Sequence, residues 1–282
     1  MENSFGTESR LSITAGRRGE KTVLEDCFFR APFKIMKPFC PEGTEGMELM
    51  IMSVSAGILA GDSQEIQIEV KKGARLFLTT QSFEKVHKME PGGCAFRKSR
   101  IRVENGGFLS YQPLPVIPFA GADFSGDTQI LLEGPEAGLI YSEILSCGRA
   151  ARGERFLYRR YQNRILVSCG DVPLYADNTI YLPRRQGMEE KKEEGGLSFM
   201  DMEETGFYEG HTHLANLILL NLNLPENFIN RVREILEEAG KRGIQGGVTE
   251  TGSDGFAVKI LGNQAQSLSY LLEEIRDIAL GR

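Results

Sequence analysis

A chain of 282 residues, 41% apolar and 26% charged, holds enough hydrophobic side chains for a large core and is not a disordered polymer. Its 33 Lys and Arg against 39 Asp and Glu leave a net charge of −6, which excludes a general nucleic-acid binder, because neutralising phosphates needs a basic face. Five scattered cysteines, none in a C-x-x-C, argue against a disulfide framework and a thiolate zinc site, and make the reducing cytosol the simplest home.

The first residues, Met1-Glu2-Asn3-Ser4, show no basic stretch leading into an apolar one, and no apolar run approaches the ~20 residues of a membrane span, so neither a signal peptide nor a membrane role is expected. The 32 glycines, with many β-branched residues, predict frequent turns between short strands. Residues 65–70 alternate, with Ile66, Ile68 and Val70 on one face. Lys71-Lys72-Gly73 turns the chain into a second strand at 74–80, so the pair reads as a hairpin. Residues 100–103 alternate again, and Asn105-Gly106-Gly107 turns them into 108–111. Further strands are expected at 128–133, 138–145, 155–168 and 173–182. Turn signals about every ten residues favour a layered all-β body over alternating β/α units. That body is assigned residues 1–183. Residues 184–205 change in composition, and the mixed charges of 189–194 followed by two glycines read as a solvated linker.

Residues 206–282 behave differently. An apolar run at 214–222 predicts a buried strand, and Pro225 opens a helix with Phe228, Val232, Ile235, Leu236 and Ala239 as its stripe and Gly240 as its end. Residues 247–250 and 256–261 form a hairpin around Gly252-Ser253-Asp254-Gly255. Asn263, with Gln266 three residues on, caps a last helix carrying Leu268, Leu272, Ile275 and Ala279. This β-α-β-β-α portion is expected to pack on the body rather than fold alone.

The sequence lacks the P-loop, a dinucleotide-binding glycine turn, the G-x-S-x-G elbow and H-E-x-x-H. Of its three histidines, His211 and His213 would share a face of an extended segment, without an evident third metal ligand. His87, close to Lys85 and Lys88, reads as solvated. Glu143 sits in the apolar strand 141–145, so it is either paired internally, with Arg149, Arg152 or Arg155 as candidates, or functional. Asp62 ends a glycine-rich turn and reads as a cap or a functional group. The proline-spaced segment 112–119 is either an apolar edge that invites a partner or a loop capping the core. The residues alone therefore tilt the reading from an enzyme towards a scaffold. A stand-alone β-sandwich binding a small ligand and a hydrolase using Asp62, Glu143 or His87 stay open.

Several segments recur in a familiar order: Ala31-Pro32-Phe33-Lys34 with Lys37-Pro38-Phe39, residues 53–62 ending in Gly61-Asp62, Gly73-Ala74-Arg75-Leu76 leading to 79–86, Pro115-Val116-Ile117-Pro118-Phe119, Tyr141-Ser142-Glu143-Ile144 with Gly148-Arg149 and Arg152-Gly153-Glu154, and Tyr175-Ala176-Asp177-Asn178-Thr179. In this series the chain resembles the urease accessory protein family UreD, also called UreH. It departs where many members carry paired glycines, with Ala56-Gly57 and Ala60-Gly61 in their place. The resemblance implies a non-enzymatic role and a mainly β, layered body, β-helical or sandwich-like, with a small C-terminal α/β portion carrying two helices. It also implies a complex with a UreF-like protein, through it with a UreG-like GTPase, and with apo-urease, as a dimer of heterocomplexes. Nickel would be in transit, with no cofactor tightly bound. On this footing Asp62 and Glu143 are expected to line an internal polar path for nickel. Thr80, Lys85, Arg149 and Glu154 are expected to fix turns, and Pro115 and Phe119 to serve structure or a partner.

Overall fold

The strands on either side of the Lys71-Lys72-Gly73 turn do not pair with each other. The computed structural model describes residues 8–41, 45–184, 199–252 and 255–282. Its strands are β1 (Glu8–Arg18), β2 (Lys21–Phe29), β3 (Phe33–Ile35), β4 (Met47–Ser53), β5 (Ser63–Val70), β6 (Arg75–Thr80), β7 (Glu84–Val86), β8 (Ala95–Val103) and β9 (Phe108–Gln112). There follow β10 (Val116–Pro118), β11 (Asp123–Leu132), β12 (Gly138–Ser146), β13 (Arg160–Cys169), β14 (Val172–Tyr181), β15 (His213–Leu220), helix α1 (Phe228–Gly240), β16 (Gln245–Glu250), β17 (Gly255–Gly262) and helix α2 (Ala265–Ala279).

β5 lies parallel between β1 and β8 in one sheet, whereas β6 lies parallel between β4 and β9 in another. β8 and β9 are divided in the same way, as are β11 and β12. The chain therefore winds as a β-solenoid, laying one long strand on each sheet per coil. The first sheet runs β14-β13-β11-β8-β5-β1-β2 and the second β16-β17-β15-β12-β9-β6-β4-β3. The predicted turn residues do turn the chain, but they make corners between sheets rather than reversals within one. Gly107 shows why glycine is needed there: a Cβ would lie 3.0–3.1 Å from the carbonyl oxygens of Glu104, Lys71 and Val70, because successive corners stack against one another.

Parallel stacking aligns inward residues of successive coils in rows along the solenoid axis. One row of the first sheet is Ile68, Ile101, Ile130 and Val167, and the next is Ile66, Ser99, Thr128 and Ile165. These rows meet Leu49, Leu76, Leu78, Leu109 and Leu139 of the second sheet in the lumen core. Each fully buried aliphatic side chain contributes roughly 1.5–3 kcal/mol. The outward positions between them are charged: Arg102 bridges Glu69 and Glu133, and Arg100 pairs with Asp127, at 2.6–2.7 Å. In water such pairs add little stability but keep the sheet face solvated.

The C-terminal elements extend the second sheet. β15 runs antiparallel to β12, β17 pairs with β15, and β16 with β17. α1 and α2 lay the predicted stripes, Phe228, Val232 and Leu236 with Leu268, Leu272 and Ile275, on the outer face of that sheet. The cap of α2 differs from expectation. Gln264 is its N-cap, with no side-chain bond to the helix backbone, and the Asn263 amide oxygen instead accepts from the Thr212 N–H at 3.1 Å. A third cluster, with Ile58, Val86, Phe124, Tyr158 and Tyr208, fills the flank of the solenoid. Met202 joins it and is buried, while Asp201, Glu203, Glu204 and Thr205 on either side of it are exposed. The 189–194 charges and the Ser253-Asp254 turn lie outside the described residues.

Candidate functional site: a polar row inside the solenoid

Strand alternation points Gln64, Arg97, Gly126 and Asn163 inward, in phase with the aliphatic rows. The parallel register sets these four side by side, with Ser9 at one end of the row and Thr179 at the other. A row that could have been aliphatic thus carries polar side chains from β1 to β14, with Gly126 as its one apolar member. Burying such groups is costly unless they are bonded, and most of them are. The Arg97 guanidinium donates to Gln64 Oε1 through Nε at 2.9 Å and to Glu84 Oε2 through Nη2 at 2.5 Å.

Glu143 faces this row from the second sheet. The Tyr141 hydroxyl donates to Glu143 Oε1 and the Asn163 amide donates to Oε2. The predicted ion pairs of Glu143 with Arg149, Arg152 or Arg155 are not formed. Arg149 lies beyond the strand end and binds Glu154 across a short turn at 2.7 Å, while Arg155 binds Glu203 at 2.8 Å. Among the described residues Glu143 therefore has polar partners but no cation bonded to it. Burial pushes its carboxyl up to about 7; the Tyr141 and Asn163 bonds and the charge of Arg97 oppose this, and Asp177 adds to it. Tyr111, also inside, is pushed up to about 12 by burial and stays protonated.

A cavity of about 80 Å³ runs among Glu84, Arg97, Tyr111, Tyr141, Glu143 and Asn163, and is also lined by exposed Gln81 and Ser82. That is room for a few waters. Gly126 lines it as well, and a Cβ there would meet Asn163 Oδ1 at 2.5 Å, so glycine makes room for the Asn163 amide that holds Glu143. Past Glu143 the polar series continues to Asp177. Burial opposes its ionisation, but bonds from Lys259 at 2.6 Å and Thr179 at 2.8 Å outweigh that and hold its carboxyl below the usual range.

Asp62 stands at the corner between β4 and β5, half-buried and outside the cavity lining. Its Oδ2 accepts from the Leu59 N–H at 2.8 Å, which is the turn-capping role. Burial raises its pKa, the Leu59 bond opposes this, and the nearby charge of Glu84 adds to it. Asp62 and Glu143 are thus linked through Glu84 and Arg97 rather than by contact.

The remaining predicted residues brace the flank. Thr80 lines the cavity and its hydroxyl accepts from the Leu114 N–H at 2.9 Å. Lys85 contributes backbone: its carbonyl accepts from the Ile58 N–H at 2.8 Å, and its side chain makes no hydrogen bond among the described residues. Phe119 is clasped by the Arg149 guanidinium, 4.1 Å from the ring centre, and by the His87 ring at 4.9 Å. Glu154 fixes that Arg149, whose bond lowers the Glu154 pKa. His87 is therefore packed, with its Nε2 at 2.9 Å from the Ala56 carbonyl, and not simply solvated. The Pro115 carbonyl accepts from the Glu84 N–H at 2.9 Å, and β10 pairs with β7 and β12. The 112–119 segment is accordingly a loop capping the core and not an open edge. His211 Nε2 is buried without a hydrogen-bond partner among the described residues, and burial lowers the His213 pKa to about 4. Among the described residues no cluster of three or more His, Cys, Asp or Glu is arranged to hold a metal ion.

Sequence reading missed Gln64, Glu84, Arg97, Tyr111, Tyr141 and Asn163. The available signal was a polar residue at an inward position of an otherwise apolar alternation, repeated in β5, β8 and β13.

The family model for the UreD urease accessory protein matches residues 7–281. The chain is 39% identical over 279 residues to a urease accessory protein UreD of Acetivibrio thermocellus, covering 99% of each. It is 36% identical over 275 residues to a urease accessory protein UreH of Helicobacter pylori strain G27, covering 97% of this chain and 95% of the relative. A urease accessory protein UreH of Helicobacter hepaticus is 30% identical over 279 residues, covering 99% of this chain and 100% of the relative. The β-solenoid with its internal polar row thus belongs to the UreD family of urease accessory proteins, whose role is accessory to urease and not enzymatic.

Proposed function

We propose that the chain is the scaffold through which nickel reaches apo-urease, in a cytosolic complex with a UreF-like protein and, through it, a UreG-like GTPase, two such heterocomplexes forming a dimer. The lumen of the solenoid is the path. The observation that carries this is Glu143, a carboxylate enclosed in the lumen, bonded by a phenol and an amide and facing a polar cavity. A carboxylate kept there only for stability would be replaceable by an apolar side chain at lower cost.

Cargo must be released as well as bound. Nickel stands high in the divalent affinity order, so clustered imidazoles or thiolates would trap it. Single carboxylates, amides and waters in series exchange readily, as along an ion pore. Asp62, Glu84, Glu143 and Asp177 supply such a series, with Asp62 outermost. The five cysteines are all free, which suits a reducing compartment, and among the described residues no helix is long and apolar enough to cross a membrane.

Size-exclusion chromatography after co-expression with UreF-like and UreG-like proteins tests the scaffold. Co-elution is expected, with the chain aggregated when expressed alone. A well-behaved monomer that ignores both proteins would overturn the reading.

A further inference from the structure

Among the described residues lining the lumen cavity, Arg97 is the one cation, and it stands where a dication would have to pass. The register sets it between Gln64 and Gly126, and the next residue of the row, Asn163, holds Glu143. Its guanidinium thus separates Glu84, the carboxylate nearer to Asp62, from Glu143. It is held by Gln64 and Glu84, and its carbon lies 5.9 Å from the Phe124 ring centre. The Arg97 and Glu84 side chains are 19% and 18% exposed, and both line the cavity.

An ion pair that served only to tie two strands would sit equally well under aliphatic side chains. This one blocks a polar passage in two ways. It occupies the carboxylate that an incoming cation would use, and its fixed charge repels that cation in a medium that screens poorly. Arginine does not lose its proton in proteins, so titration cannot open the passage; only movement can. Room for movement exists in the cavity of about 80 Å³ that Arg97 and Glu84 both line; the space over Gly126 is taken by the Asn163 amide.

Resting on the nickel-path reading above, we propose that the Arg97–Glu84 pair is the gate of that path. It is shut in the arrangement described, and it opens when the guanidinium leaves Glu84 and swings within the cavity that both side chains line, which frees Glu84 to take the cation. Gln64 is the latch that returns it.

The test uses the assembled complex of this chain with its UreF-like and UreG-like partners and apo-urease. Nickel ions are supplied with a competing chelator, and the initial rate of nickel transfer to urease is measured. Arg97→Met keeps the bulk and removes the charge, and is expected to raise that rate about tenfold, the order of effect for one charge in a focused channel. Glu84→Gln removes the carboxylate that the open gate offers to the cation and leaves the Arg97 charge unpaired, and is expected to lower the rate. Glu143→Ala serves as the control for the path and is expected to stop transfer. If Glu143→Ala stops transfer while Arg97→Met runs at the wild-type rate or slower, or Glu84→Gln runs as fast as the wild type, the path stands and the gate is wrong. If Glu143→Ala transfers like wild type, the path itself is wrong and the gate falls with it. If neither gate variant assembles, the pair is structural and the proposal is overturned.

Discussion

Glu143→Ala is expected to cut nickel-dependent urease activation at least about tenfold while the accessory complex still co-elutes. Losing even an outer partner of a metal commonly costs 10–100-fold in affinity or activity, and a carboxylate in the path is a direct contact. The complex should survive because Glu143 is inside the solenoid. Its partners are Tyr141 and Asn163, both buried and both in this chain. Removing the carboxylate leaves those two donors without their acceptor, at a cost of about 1–3 kcal/mol each unless water enters the cavity. The measurement is urease activity after in vitro activation, with complex assembly followed in parallel. Full activation by the variant contradicts the path. Loss of assembly together with activation marks Glu143 as structural.

Glu143→Gln is expected to reverse a stability penalty, and the sign follows from the direction in which burial moves the carboxyl. The native group titrates near 7, against 4.5 for the free one. Between these values the native state holds a proton that the unfolded chain has lost, so stability falls as pH rises through that window. The stability present below about pH 4.5 exceeds that above pH 7 by about 3 kcal/mol, since a tenfold change in proton affinity is worth about 1.4 kcal/mol. Glutamine is neutral throughout and removes this slope. In urea denaturation the variant should therefore gain on the wild type at about pH 8 and lose that advantage at about pH 5. A gap between the two proteins that is equal at both pH values contradicts the assignment. The comparison cancels the opposite contribution of His213, whose lowered pKa removes stability as pH falls from 6.5 towards 4 in both proteins.

The composition of the fold was legible, but its winding was not. Alternation in 65–70 and 100–103 correctly showed strands with one apolar face, and the helical stripes of α1 and α2 lie where their periodicity placed them. Yet Lys71-Lys72-Gly73 and Asn105-Gly106-Gly107 have the composition of hairpin turns and make solenoid corners. Local turn chemistry is the same in both cases. Only parallel pairing to a strand some thirty residues away separates them, and that is a tertiary fact. The polar row failed to show for the same reason. Gln64, Arg97 and Asn163 each look like an isolated lapse in an apolar pattern, and they form a row only once the register stacks them.

Glu143 stands out in the sequence because a carboxylate in a strand as apolar as 141–145 needs an explanation, and that physical argument located the centre of the lumen. Its partners were guessed from nearness in sequence, which fails in a β-strand. Arg149 lies past the strand end and across a corner, whereas Asn163 reaches Glu143 from the facing sheet. Asp62 showed itself as a turn residue, and its Leu59 bond is that of a cap. What links it to the lumen is Glu84, on a three-residue strand that composition does not distinguish.

If nickel travels inside the solenoid, it can be caught there. Anomalous diffraction at the nickel edge, from crystals of the assembled complex soaked in nickel ions, is expected to show a peak in the lumen within bonding distance of the Glu143 carboxylate, absent in Glu143→Ala. Nickel found only on the outer surface, with the lumen empty in both proteins, would contradict it.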